Sequence, residues 1–220
     1  KAEFSIFDAA FLEEISKMKE KNIAIELLKK LLAERVTIYQ KTNLVQAEKF
    51  SDLLNRALSN YLKGLLTNEE VIQELLKLAA EISESENQGN ELGLTAEEKS
   101  FYDALTKPRA VQDIYTNEQL VAMTKELTDA LRKNRTIDWQ KKESARAGMR
   151  RMIKRLLKKY KYPPEEAENA LETVIHQCEQ WSDNDSDEYS INESTQKYNF
   201  QQSYYSIAAD EIHEGYNKKL

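Results

Sequence analysis

No proline occurs in this chain before Pro108, and across its 220 residues there are only five glycines and three prolines. Short strands and tight hairpins need such breakers at their ends, so the first hundred residues are expected to be helical. A charged fraction of 32% beside a hydrophobic fraction of 40% suits helices that each bury one apolar stripe. The expectation is an all-α fold, an irregular multi-helix bundle with essentially no strand. A chain of this length can bury about 70% of its unfolded surface, enough for a real core.

The stripes place the helices. Ala47, Phe50, Leu54, Ala57, Tyr61 and Leu65 recur at three and four residues, which predicts one long helix over roughly 43–66. Upstream, Ile25, Leu28, Leu32 and Val36 mark another. Thr67 with Glu70 has the spacing of a capping box, in which each side chain satisfies an orphaned backbone N–H of the other. The helix it starts carries Val71, Leu75, Leu78, Ala79 and Ile82 and is expected to give way to a polar loop, SESENQGNELG. Thr95 and Glu98 repeat the capping signature for a short helix through Leu105, Pro108 breaks the run before a brief helical turn, and Leu120, Met123, Leu127 and Leu131 mark the next full helix. Ala167, Leu171, Val174, Cys178 and Trp181 form the last stripe. The predicted layout is a helical domain over 1–181, an acidic linker over 182–196 and a weakly docked or flexible tail over 197–220. First proteolytic cleavage is expected in the linker, whose apolar content is too low to offset the entropy of ordering it.

Several function classes are excluded. No run of 18 apolar residues exists to span a membrane, and the single Cys178 allows no internal disulfide, so the cytoplasm is the expected compartment. The chain opens at Lys1 with no basic-then-apolar leader, as expected of a piece of a longer protein. Neither phosphate-binding glycine motif is present. His176 and Cys178, two positions apart on a helix, point in different directions and make no nucleophile–base pair; Cys178 belongs to the stripe and His176 can reach Glu172. Asp183, Asp185 and Asp187 imitate the start of a calcium loop, but Glu188 and Ser194 stand where glycine and a bidentate glutamate are needed. Glu97 and Lys99 spell an E-x-K nuclease fragment, yet they fall in the first turn of a helix, where capping explains them better. No catalytic residue, metal site or cofactor is predicted for this chain.

Charge is distributed unevenly. Residues 131–162 hold 13 basic and 2 acidic side chains, while 163–196 hold no basic and 10 acidic ones, in a chain of net charge -6. At 100° per residue, Ala145, Met149, Met152, Ile153, Leu156 and Tyr160 share one face of a helix, and Arg150, Arg151, Lys154, Arg155 and Lys158 lie opposite, with Arg146 and Lys159 on the flanks. A merely solvated face would intersperse glutamates, which gain a few tenths of a kcal/mol each from i,i+4 pairing; between Arg146 and Lys159 there are none. Three partners fit such a face: nucleic-acid phosphates, an anionic membrane, or the acidic segment 165–193 folding back. The narrow apolar stripe is used up by a core, which disfavours a membrane, and phosphates are the preferred reading. Asp138 is expected to cap this helix and Trp139 to anchor its start in the core.

Three stretches, NLVQAEKFSDLL (43–54), LGLTAEEKSFYDAL (92–105) and TIDWQKKESARAGMRRMIKRLLKKYKYPP (136–164), resemble in order and spacing the C-terminal helical region of the motor, or restriction, subunit of bacterial type I restriction-modification enzymes. The resemblance runs from about residue 22 to 181. It implies a parent subunit that is an ATP-dependent site-specific deoxyribonuclease, using ATP and Mg in nuclease and motor domains that this chain does not contain. It further implies partners: double-stranded DNA, and the methyltransferase and specificity subunits to which the C-terminal helices attach the motor. On this basis Arg146, Arg150, Arg151, Lys154, Arg155, Lys158 and Lys159 are candidate DNA-phosphate contacts, and Asn43, Gln46 and Lys49, polar positions on a largely buried helix, are candidate docking residues. Members of that family commonly carry glycine where Lys161 stands, so the basic helix is expected to end less sharply here.

Overall fold

The computed structural model describes residue 7, residues 9–136 and residues 138–186, the last five without side chains. The chain divides between Asn184 and Asp185, and the segment beyond 186, with most of the sequence-predicted linker and all of the tail, lies outside the described residues. Those that are described form nine α-helices and one 3-10 turn, with no strand among them. The helices are α1 Ala9–Ser16, α2 Lys21–Thr42, α3 Leu44–Leu62, α4 Asn68–Glu91, α5 Ala96–Thr106, α6 Arg109–Ile114, α7 Asn117–Asn134, α8 Glu143–Lys159 and α9 Pro164–Ser186, with the 3-10 turn at Trp139–Lys141. Helix α1 had no counterpart in the predicted layout, and α9 runs through 182–186, the start of the predicted linker.

Helices α2, α3 and α4 pack on one another and bury most of the predicted stripes, with Leu28, Leu32, Phe50, Val71, Leu75 and Ile82 fully enclosed. The predicted helix over 43–66 is corrected at its end: α3 stops at Leu62, Gly64 turns left-handed (φ 71°), and Leu65 beyond it is exposed. Burying one such side chain contributes roughly 1.5–3 kcal/mol. A second core joins α5, α7, α8 and α9 around Phe101, Leu105, Met123, Leu127, Ile153 and Leu171. Helix α5 links the two, packing on α3 as well as on α7.

Capping boxes begin three helices. Thr67 and Glu70 open α4, Thr95 and Glu98 open α5, and Thr116 and Gln119, a pair with the same spacing that the stripe reading passed over, open α7. The predicted polar loop after Ile82 is instead the last part of α4. Gly89 lies inside that helix and is buried, where an added Cβ would sit 3.4 Å from Lys99 Cγ. Packing of a neighbouring side chain, and not a turn, accounts for that glycine. The turn falls to Gly93, which is left-handed (φ 63°) and closes α4, with Leu94 N–H donating to Gly89 O at 3.0 Å.

Helix α8 ends just as sharply without a glycine. Lys161 adopts φ 57°, Lys161 N–H donates to Lys158 O at 3.0 Å and Tyr162 N–H to Leu157 O at 2.9 Å, the bonding pattern of a left-handed helix stop. The expectation of a looser end is corrected: the Tyr162 ring, buried with its hydroxyl donating to Leu105 O at 2.6 Å, holds the chain in that turn.

Candidate nucleic-acid interface

The start of α8 differs from the sequence reading. Asp138 is left-handed (φ 57°) and makes no side-chain capping bond, because the 3-10 turn separates it from α8. Lys142 precedes the helix in an extended conformation without a side-chain cap, leaving Glu143 to meet the positive end of the helix dipole. Trp139 is buried at 1% exposure and anchors the turn as expected. Met149, Ile153 and Leu156 of the predicted stripe face the core, joined by Leu157.

The seven candidate phosphate contacts divide into two groups. Arg146 pairs with Glu179 at 2.5 Å, Arg150 with Glu172 in a two-pronged contact whose longer arm is 2.9 Å, and Lys154 with Glu168 at 3.0 Å. These three cations are spaced four apart on α8 and meet acids of the antiparallel α9. Lys159, on the other flank, donates to both oxygens of Glu126 on α7, at 2.6 and 2.8 Å, and Tyr160 donates to the same carboxylate at 2.7 Å. The Arg150 hydrogen bond holds the Glu172 carboxyl below its usual range, and Lys159 and Tyr160 do the same for Glu126. Arg151, Arg155 and Lys158 are exposed and have no acidic partner among the described residues. They are separated by three, four and seven positions, so one outward patch holds all three. The acidic segment thus takes up part of the basic face, which sequence reasoning had weighed as the lesser alternative.

The docking trio meets a different fate. Asn43 is only 5% exposed; its Oδ1 caps α3 by accepting Gln46 N–H at 3.2 Å, and its Nδ2 donates to Asp103 Oδ2 at 2.7 Å. Gln46 Nε2 donates to the same Asp103 oxygen at 2.8 Å, and Lys99 forms an ion pair with the other. Nearby, Gln177 is wholly buried and spans the break between α2 and α3, donating to Thr42 O at 3.1 Å and accepting Leu44 N–H at 2.8 Å. Asn43 and Gln46 are therefore turned inward, because Asp103 and Lys99 sit on a helix buried on nearly every side and such groups need partners. Lys49 alone stays exposed, over the Phe50 ring and 3.5 Å from Glu81. With Gln46, Asp52, Lys107, Gln112 and Asn117 it lines a polar cleft of about 600 Å³.

Sequence reasoning missed Asp103 and Gln177, and its capping explanation of Lys99 is corrected: the side chain is buried in the ion pair with Asp103. The available signal was the i,i+4 spacing of Lys99 and Asp103 around the apolar run Phe101, Tyr102, Ala104, Leu105. Glu97, set aside as a capping residue, binds Arg132 at 2.5 Å and so ties α5 to α7. His176 contacts Glu179 at 3.3 Å rather than Glu172, and burial pushes the Cys178 thiol up to about 12. Among the described residues no three His, Cys, Asp or Glu gather as metal ligands, and no helix is long and apolar enough to cross a membrane.

Fold and site together define an all-helical domain with an electropositive helix face. Its residues 1–184 match the family described as type I restriction enzyme HindI endonuclease subunit-like, C-terminal. It is 37% identical over 178 residues, 81% of this chain and 17% of that protein, to the type I restriction enzyme HindI endonuclease subunit of Haemophilus influenzae. It is 31% identical over 160 residues, 72% of this chain and 15% of that protein, to a Methanocaldococcus jannaschii protein assigned as the type I restriction enzyme MjaIXP endonuclease subunit. The chain belongs to this family of endonuclease subunits, as their C-terminal region. It spans under a fifth of the length of these relatives. No solved structure matches it.

Proposed function

We propose that this domain is a non-catalytic part of a type I restriction enzyme motor subunit and rests one face of α8 on the phosphates of double-stranded DNA without reading bases. The observation that carries the reading is the patch of Arg151, Arg155 and Lys158, exposed and unmatched by acids among the described residues. Seven steps of about 1.5 Å span roughly 10 Å, half the length implied by all seven cations, so about three phosphates are engaged. Nuclease and motor work, with ATP and Mg, belongs to the rest of the parent subunit, which acts in the cytoplasm alongside the methyltransferase and specificity subunits. Docking to those subunits falls to the cleft rim at Lys49, with Gln46 in its wall and Asn43 behind it.

Binding of the full chain to duplexes of unrelated sequence tests this. The slope of log affinity against log salt is expected near -2.7 for three contacts, with little dependence on sequence. Arg151→Glu/Arg155→Glu/Lys158→Glu leaves the apolar stripe untouched and is expected to weaken binding by more than about tenfold. Undiminished binding by the folded variant would instead favour an acidic protein partner for this face, a reading supported by the carboxylates already seated on its flanks.

A further inference from the structure

We infer that α8 carries a second, masked phosphate-binding strip beside the open one, and that Glu168, Glu172 and Glu179 of α9 are its built-in phosphate surrogates, setting how tightly the domain grips a polyanion. This rests on the DNA reading above. Arg146, Arg150 and Lys154 form a row one turn apart, each closed by a carboxylate from α9. Taking Met149 as reference, the row lies at about 60°, 100° and 140°, and the open patch at about 180–240°. The two strips adjoin, with Lys154 at their border.

The carboxylates reproduce what a phosphate offers. Glu172 presents both oxygens to the Arg150 guanidinium, the two-pronged geometry by which arginine also holds phosphate oxygens. Helix α9 cannot leave to expose the row, because Ala170, Leu171, Val174, Ile175 and Cys178 are buried in the shared core. The acids are thus a fixed attenuator. Arg146 and Arg150 keep about a third of their side-chain surface exposed (36% and 34%) and Lys154 keeps 58%, so solvent and a polyanion can reach them without unfolding.

The arrangement makes α9 an affinity-setting element. Counterion release adds about -0.9 to the salt slope for each phosphate neutralised. A cation already neutralised by a carboxylate contributes little. Removing the carboxylate charge recruits the cation to the DNA, first Lys154, then Arg150, with Arg146 angled furthest inward. A weak, salt-sensitive grip suits a contact that reads no bases, since sequence-independent electrostatic contacts allow sliding.

The test uses the full chain and duplex DNA of about 30 base pairs. Glu168→Gln/Glu172→Gln/Glu179→Gln is compared with Glu34→Gln/Glu74→Gln/Glu84→Gln, an equal charge change at exposed acids of α2 and α4. The α9 variant is expected to bind more tightly at low salt and to steepen the slope by about one to two units, from near -2.7 to between about -3.6 and -4.5. The control is expected to leave the slope unchanged. Equal gains in both variants, or no change in the α9 variant, would overturn the inference. Circular dichroism reports folding; should the triple variant unfold, Glu168→Gln/Glu172→Gln serves, with an expected steepening of about one unit. Arg150→Gln/Lys154→Gln should barely alter the native slope but abolish the gain in the α9 background. Failure of the DNA reading is separately visible: in that event Arg151→Glu/Arg155→Glu/Lys158→Glu, which retains all three acids, binds as tightly as the parent.

Discussion

Helices α3 and α8 each present polar side chains beside an apolar stripe, and they use them in opposite ways. On α3, Asn43 and Gln46 turn inward and converge on Asp103, where Lys99 completes a buried cluster. On α8, cations of the same periodicity point outward, some matched by α9 and three left open. Inward polar groups hold the α2–α3 break against α5 and fix one arrangement of the helices. Outward ones leave the fold largely alone and are available to a partner. The difference is desolvation: a buried charge must be paired at a cost of several kcal/mol if it is not, whereas an exposed pair contributes about 0–1 kcal/mol.

The largest test of this contrast is Asp103→Ala, which strands Lys99 and two amide donors in the interior. It is expected to lower stability by about 3–5 kcal/mol in urea denaturation. A loss under about 1 kcal/mol would place the cluster with the surface pairs and erase the distinction.

A smaller effect of opposite sign is expected at Lys161, an exposed cation held in a left-handed turn. Lys161→Gly relieves the steric penalty of the side chain there and should raise stability by about 0.5–1 kcal/mol although it removes a charge. A decrease would mean that this cation is bound to the fold after all.

The smallest effect concerns pH. Because Arg150 holds Glu172, and Lys159 holds Glu126, below the ordinary value of 4.5, these pairs add stability above that pH and lose it as the pH falls through the lowered folded values. With the side chains about 40% exposed, screening keeps each contribution under about 1 kcal/mol. Native protein and Glu172→Gln should therefore differ little in denaturation midpoint at pH 7, and the difference should shrink as the pH falls below 4.5 and vanish only once it is below the lowered folded value of Glu172. A large difference at neutral pH would make the α8–α9 row a structural element like the Asp103 cluster.

Much of the helix layout was legible because periodicity and capping chemistry act within a few residues: Thr67 with Glu70 and Thr95 with Glu98 are local pairs that need no tertiary context. The limits of that legibility are equally physical. The stretch after Ile82 carries the polar residues and glycine of a loop, yet it continues α4, with Gly89 packed against the stem of Lys99 from a neighbouring helix. Asp138 looks like a cap, but the burial of Trp139 inserts a 3-10 turn after it.

For the candidate site, the sequence by itself determined that α8 has an apolar stripe and a cationic face, since 100° per residue follows from backbone geometry alone. It also carried the family motifs. Only the tertiary structure decided which cations stay open. That outcome depends on α9, more than ten residues away along the chain, lying antiparallel to α8 with Glu168, Glu172 and Glu179 in reach of Lys154, Arg150 and Arg146. Likewise Asn43 and Gln46 became interior residues because Asp103, sixty residues from Asn43, came to lie beside them. Charge pairing acts over a few ångströms in space, and which groups come that close is set by the packing of helices.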